Sequence, residues 1–226
     1  SGTMVAAAVI FCHGSGDTGG GARAWVESLV APAALAEFHW VYPTATPIPY
    51  TLSQGAVSSV WYDRIGGFEP SWPEDTTSIE RSVQGIRAEI DSLAARGISR
   101  IAVGGFSMGG GLALQAAARL QGVDAVFAMS SYASDDSKLY GLADALPPAF
   151  ISHGAADDFI LPTWGERTAD KLRKAGATVD FRLYDGLHHE LSPHALTDLL
   201  AFLKTHLVLD DDETTTGGGV LSSCAS

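Results

Sequence analysis

Apolar positions along the chain follow two rhythms that alternate. Val5–Phe11 is an unbroken apolar run, the pattern of a strand covered on both faces. Ala24–Leu35 is helix-like and Phe38–Tyr42 reads as a strand. Ile79, Val83, Ile86, Ile90 and Leu93 recur at intervals of four and three, which makes one apolar stripe on a helix. Thr77-Ser78-Ile79-Glu80 has the form of a capping box for that helix, and Gly97 stands where a C-terminal cap glycine belongs. Beyond it, Ile101–Gly105, Ala125–Ser130, Phe150–Ser152 and Val179–Tyr184 read as strands. Gly109–Leu120, Thr163–Lys174 and Pro193–Leu207 read as helices, the last with proline in its first turn. Strands alternating with helices predict an α/β fold, a mostly parallel sheet with helices on both faces. The stretch 43–73 breaks the alternation. It is rich in proline, with Trp40, Trp61 and Trp72 in or beside it, and such long irregular segments are usually functional or mobile.

Composition bounds this picture. At 226 residues, the chain is expected to form one domain over 4–209, followed by an acidic, then Thr/Gly/Ser-rich, disordered tail at 210–226. An apolar content of 46% against 18% charged residues is that of a globular protein. No apolar run is long enough to span a bilayer, and Val5–Cys12, with no basic residue before it, reads as a buried strand rather than a signal peptide. The formal net charge is −12 and no Lys/Arg cluster occurs, so neither a nucleic-acid partner nor stable membrane insertion is expected. Two cysteines, Cys12 in the first strand and Cys224 in the tail, suit a reducing, cytoplasmic setting. A monomer or weak dimer is expected.

The candidate chemistry centres on Gly105-Phe106-Ser107-Met108-Gly109. As a pentapeptide, G-x-S-x-G is a weak signal. Here it follows the apolar strand Ile101-Ala102-Val103 and opens a helix beginning Gly109-Gly110-Gly111, the strand–turn–helix context that a nucleophilic serine requires in an α/β-hydrolase. The competing reading is an ordinary glycine-rich turn. A serine hydroxyl needs an adjacent base, and the chain order in this fold is Ser, then Asp or Glu, then His. His188 and His189 lie in the loop between the last strand and last helix, at the same sheet edge as Ser107. His189 is favoured there, with His194 and His206 inside the helix. The acid belongs in His153-Gly154-Ala155-Ala156-Asp157-Asp158, where one of the two aspartates orients the histidine and the other is ordinary. An oxyanion hole needs two backbone N–H groups. Met108, after the nucleophile, supplies one, and the glycine-rich loop His13–Gly19 supplies the other. That loop carries no G-x-x-x-x-G-K-[ST], so phosphate binding is disfavoured. Neither H-E-x-x-H nor C-x-x-C occurs, so no metal or cofactor is expected.

Six segments in order carry a wider resemblance: His13-Gly14-Ser15-Gly16-Asp17-Thr18-Gly19, Tyr42-Pro43-Thr44-Ala45, Val60-Trp61-Tyr62-Asp63, Gly104–Gly110, His153-Gly154-Ala155-Ala156-Asp157 and His189-Glu190-Leu191-Ser192. Over 5–207 the chain resembles acyl-protein thioesterases and related small carboxylesterases, most closely their lysophospholipase-like branch. The resemblance implies Ser107 as nucleophile, Asp157 as acid and His189 as base. It implies Ser15 and Met108 as oxyanion donors, and Trp61 near the acyl site. Met108 and Ser15 stand where thioesterases usually have glutamine and leucine, and Ala155 replaces a usual acid. The first two act through backbone amides, so these departures bear on acyl-chain preference, which is shorter in the lysophospholipase-like branch. The expected reaction is two-step acyl transfer on an ester or thioester. The expected substrate is an acylated protein (palmitoyl-protein hydrolysis) or, alternatively, a small ester or lysophospholipid. An inactive hydrolase fold serving as a binding module is the reading from another class. Residues 130–148 are too few for a large cap domain.

Overall fold

The computed structural model describes residues 7–207. The expected tail, 210–226, lies outside the described residues. Eight strands form: β1 (Ala7–Cys12), β2 (His39–Val41), β3 (Ile48–Pro49), β4 (Val57–Ser58), β5 (Arg100–Phe106), β6 (Ala125–Met129), β7 (Ala149–Gly154) and β8 (Val179–Tyr184). Six helices accompany them: α1 (Gly19–Leu29), α2 (Pro32–Leu35), α3 (Thr76–Ala95), α4 (Met108–Ala117), α5 (Pro162–Lys174) and α6 (Pro193–Leu207). The main sheet has the order β2-β1-β5-β6-β7-β8, and every neighbouring pair in it is parallel. This is the α/β-hydrolase architecture without a cap domain.

The side-chain period of two explains why the central strands are largely apolar. Ile10, Cys12, Val103, Val126 and Ile151 face one way and pack with α3, α4 and α5. Val9, Phe11, Ala102, Phe127 and Phe150 face the other and pack with α1 and α6. Both faces of β1, β5, β6 and β7 are covered, so these strands lack polar alternation, whereas the edge strand β8 sets Asp180 and Arg182 between Val179, Phe181 and Leu183.

Most predicted elements stand within a few residues of their expected bounds. The helix expected over 24–35 is two helices. Thr18 caps α1 by accepting from the Gly21 N–H, and the chain turns at Val30–Ala31 before Pro32 opens α2. The capping box is not formed. The N-cap of α3 is Asp75, whose carboxylate accepts from Thr77 and Ser78 N–H groups. At its other end Gly97 takes φ 82°, and the N–H of Ile98 reaches back to the Leu93 carbonyl, closing the helix as expected. Inside 43–73 the two-residue strands β3 and β4 pair antiparallel, and 130–148 holds one 3₁₀ segment, Lys138–Ala145.

Candidate active site

Ser107 sits where β5 meets α4. Its backbone is at φ 54°, ψ −122°, a conformation that L-residues avoid. Gly105 and Gly109 make that turn possible. A Cβ on either would lie 2.3 or 2.1 Å from the Cys12 carbonyl oxygen, because β1 runs directly alongside. The strain lifts the hydroxyl clear of the sheet at its C-terminal edge, where the loops after β1, β7 and β8 also arrive.

The loop after β8 brings His189 to the serine. Its Nε2 lies 3.2 Å from Ser107 Oγ and its Nδ1 lies 2.8 Å from Asp157 Oδ2. Rings of Phe106 and Phe159 stand 4.8 and 5.1 Å from the imidazole and fix its plane. His188 is exposed, His194 reaches Asp198, and His206 packs on Phe202, so none of them joins the site. Asp157 follows β7 and is buried. Its Oδ1 accepts from the N–H groups of Phe159 and Ile160, at 3.1 and 2.9 Å. Asp158, one residue on, is exposed.

A second histidine stands behind the carboxylate. His153 Nε2 is 3.3 Å from Asp157 Oδ2 and 2.8 Å from the Ile160 carbonyl, and both side chains are sealed from solvent. Burial pushes the Asp157 carboxyl up. Hydrogen bonds from His153, His189 and the Ile160 amide outweigh it and hold the group at about 2. The carboxylate is therefore charged at neutral pH. His153 went unread in the sequence because its motif marked only the loop. Its one signal was the four-residue interval to Asp157 at the end of a buried strand.

Ser15 and Met108 lie face to face, the Ser15 hydroxyl 3.5 Å from the Met108 sulfur. Neither amide N–H donates to an acceptor among the described residues, so both remain free for an oxyanion. Gly16, at φ 77°, turns the loop. His13 anchors it from behind. This ring is buried, which lowers its pKa against the pull of its bond to the Gly14 carbonyl, and its Nε2 accepts the Ala45 N–H at 3.0 Å.

Trp61 belongs to this anchor. Its indole N–H donates to the His13 carbonyl at 2.8 Å and its ring packs 4.9 Å from the His13 ring. The structure thus places Trp61 behind the oxyanion loop, where it also lines a cavity of about 140 Å³ with Pro43, Thr44 and Ile48. A separate cleft is lined by Gly111 of α4 with Tyr62, Arg64, Glu74 and Tyr132. Its free volume is about 20 Å³, room for roughly one water. A larger groove of about 630 Å³ lies elsewhere, at the β2 edge, under Leu35, Trp40 and Tyr42.

A strained serine on a parallel sheet, with a histidine in reach and a buried carboxylate behind it, defines the class: serine hydrolases of the α/β-hydrolase fold. The chain belongs to the Phospholipase/Carboxylesterase family, whose model matches residues 1–207. It is similar to Lysophospholipase-like protein 1 of Mus musculus, with 36% identity over 214 residues, 91% of this chain and 89% of the relative. It is also similar to Acyl-protein thioesterase 1 of Candida albicans, with 28% identity over 217 residues, 90% of this chain and 94% of the relative. Among solved structures, Arabidopsis thaliana SOBER1 superposes with a TM-score of 0.79 at 26% identity, covering 89% of this chain and 100% of that one. Zea mays acyl-protein thioesterase 2 gives 0.78 at 25%, covering 92% and 96%. The chain is a serine hydrolase, and its relatives are esterases and thioesterases.

Proposed function

We propose that Ser107, His189 and Asp157 hydrolyse carboxylic esters and thioesters through an acyl-enzyme. The observation that carries this is the pair of distances at His189, 3.2 Å to Ser107 Oγ and 2.8 Å to Asp157 Oδ2. The Ser107 proton passes to His189 Nε2 as Oγ bonds to the substrate carbonyl carbon. The oxygen, now anionic, takes the amide hydrogens of Ser15 and Met108. Asp157 holds the imidazole in the tautomer with Nδ1–H and stabilises the imidazolium. When the intermediate collapses, the C–O or C–S bond breaks and the His189 proton goes to the leaving oxygen; a thiolate needs it less. Water then repeats the sequence on the acyl-enzyme and frees Ser107.

The relatives named acyl-protein thioesterase favour an acylated protein as substrate, and the similarity to the lysophospholipase-like branch favours a short acyl group. Among the described residues no helix is long and apolar enough to cross a membrane.

Two measurements test the reading. A fluorophosphonate probe labels the protein, and Ser107→Ala removes both labelling and turnover, by at least about 10³-fold. Labelling that persists in Ser107→Ala disproves the assignment. Thioesters and esters from two to sixteen carbons then give the chain-length profile, with the maximum expected among the shorter chains; a maximum at sixteen identifies a long-chain hydrolase.

A further inference from the structure

The Ser15 hydroxyl has only a weak partner in the resting site. Gly14, the residue before it, runs so close to the nucleophile that a Cβ there would lie 3.6 Å from Ser107 Cβ, so the oxyanion loop adjoins the reacting hydroxyl. Ser15 is exposed, and among the described residues its Oγ meets one partner, the Met108 sulfur at 3.5 Å. A thioether is a weak acceptor, so little holds the hydroxyl there. In a gauche rotamer a serine Oγ lies about 3 Å from its own nitrogen. An oxygen held by the Ser15 N–H is therefore also within reach of the Ser15 O–H.

A second hydroxyl stands behind the first. Tyr50 follows β3, and its N–H and carbonyl bond to Ala56 and Gly55 to close the β3–β4 hairpin. The hairpin is tied to the oxyanion loop, because the Gly16 N–H donates to the Ser59 carbonyl at 2.9 Å. The Tyr50 side chain is buried near that of Ser15, and its hydroxyl makes no hydrogen bond with the described residues. Burial raises its pKa, so it keeps its proton at neutral pH and can donate. A buried hydroxyl without a partner is unfavourable. Of its polar neighbours, Arg64 offers only donors, the Tyr62 hydroxyl packs against Gly111 of α4, and Asp63 is held by the Thr51 N–H and hydroxyl at 2.8 and 2.6 Å. That leaves Ser15 Oγ as its acceptor.

We propose that the Ser15 hydroxyl is a third donor to the oxyanion, beside the Ser15 and Met108 amides, and that Tyr50 positions it. The inference rests on Ser107 as the acyl-accepting nucleophile. As Ser107 Oγ bonds to the carbonyl carbon and its proton passes to His189, the C=O electron pair moves onto the carbonyl oxygen. The Ser15 O–H leaves the sulfur and turns to that anion. The Tyr50 O–H donates to Ser15 Oγ, and the chain of two hydroxyls polarises Ser15 into a better donor. A thioether bond is exchanged for a charge-assisted one. The gain comes with the negative charge, so it lowers the transition state more than the ground state. Ser15 is then a catalytic residue through its side chain as well as its backbone, and Tyr50 is a positioning residue.

Steady-state hydrolysis of one butyrate ester tests this in wild type, Ser15→Ala, Ser15→Thr, Tyr50→Phe and the Ser15→Ala, Tyr50→Phe double variant. Ser15→Ala keeps the amide and is expected to lower kcat by about tenfold or more, with KM within about twofold of wild type. Ser15→Thr keeps a hydroxyl and is expected to recover most of that loss. Tyr50→Phe, which removes one oxygen, is expected to lower kcat by about threefold in the wild-type background and to add nothing to Ser15→Ala, because it acts through the Ser15 hydroxyl. Affinity for a trifluoromethyl ketone, whose oxygen becomes an oxyanion when Ser107 adds to it, is expected to fall by the same factors as kcat. A kcat for Ser15→Ala within twofold of wild type overturns the proposal. Equal losses in Ser15→Ala and Ser15→Thr also overturn it, since they assign the side chain to the shape of the loop. A Tyr50→Phe loss of the same size in both backgrounds removes Tyr50 from the device. No turnover by wild type, with Ser107 unlabelled by a fluorophosphonate, sinks the acyl-enzyme reading itself.

Discussion

The adjacent aspartates at 157 and 158 show how one peptide bond separates a buried, hydrogen-bonded carboxylate from a solvated one. Asp157 points inward from the end of β7 and receives two amide N–H groups and two histidines. Asp158 points to water. Replacing Asp157 by Asn keeps the shape but puts an NH₂ or a neutral carbonyl where Nδ1–H of His189 needs a charged acceptor. The imidazole then loses the tautomer in which Nε2 can take the serine proton. The expected loss in kcat is about 10³–10⁴-fold for Asp157→Asn, and within about twofold for Asp158→Asn, since exposed positions contribute little. The comparison needs only steady-state rates on one ester. Equal effects at the two positions would show that the wrong acid had been chosen. His153 belongs to the same scale. Its hydrogen bond reaches the Asp157 oxygen that His189 also uses, so the carboxylate is clamped from two sides before the base is oriented.

At the scale of elements, the loops carry the chemistry and the helix and strand ends aim it. The start of α3 illustrates how a local pattern can mislead. Thr77 and Ser78 have the residue types of a cap, yet the cap is Asp75, because a carboxylate one turn earlier reaches two N–H groups together. Asp75→Ala is expected to destabilise the fold by about 1 kcal/mol, and Thr77→Ala by less than half of that. Chemical denaturation of both variants checks the order, and a larger effect at Thr77 would restore the capping-box reading. The same element shows what was legible. The stripe Ile79, Val83, Ile86, Ile90, Leu93 is buried throughout, and Gly97 ends the helix in the expected left-handed turn. Burial periodicity and the demand for positive φ are properties of few residues, so they are readable locally. The meeting of Ser107, His189 and Asp157 was readable for a related reason: the parallel α/β order brings every strand's C-terminal end to one edge. What could not be read depends on packing between distant segments. Nothing local announces that Trp61 turns its indole back to the His13 carbonyl, 48 residues away, or that Arg64 meets Tyr132 across the cleft. The break of the 24–35 helix is an intermediate case, since Pro32 marked it and the apolar pattern overrode the mark.

At the scale of the whole molecule, the buried carboxylate links the site to the stability of the fold. Asp157 ionises at about 2 in the folded chain, against an ordinary value of 3.8. Its folded pKa lies below its unfolded one, so the contribution is fully present above pH 4 and is lost as the pH falls toward 2. A shift of this size corresponds to about 2 kcal/mol, a sizeable share of the 5–15 kcal/mol typical of a domain. Asp157→Asn removes the titration while leaving the core in place. The stability difference between wild type and that variant, from urea unfolding at pH 5, 4, 3 and 2, is therefore expected to shrink by about 2 kcal/mol across the series. A difference that stays constant from pH 5 to 2 would mean that the folded carboxyl titrates as it does in the unfolded chain. The hydrogen bonds from His153, His189 and the Ile160 amide would then not be holding it. The direction matters because it separates two roles. A carboxylate that only oriented His189 would cost activity when removed but leave the acid limb of stability unchanged. One gripped by a strand-borne histidine and a backbone amide couples the catalytic edge to the last pair of strands, and acid loosens both together.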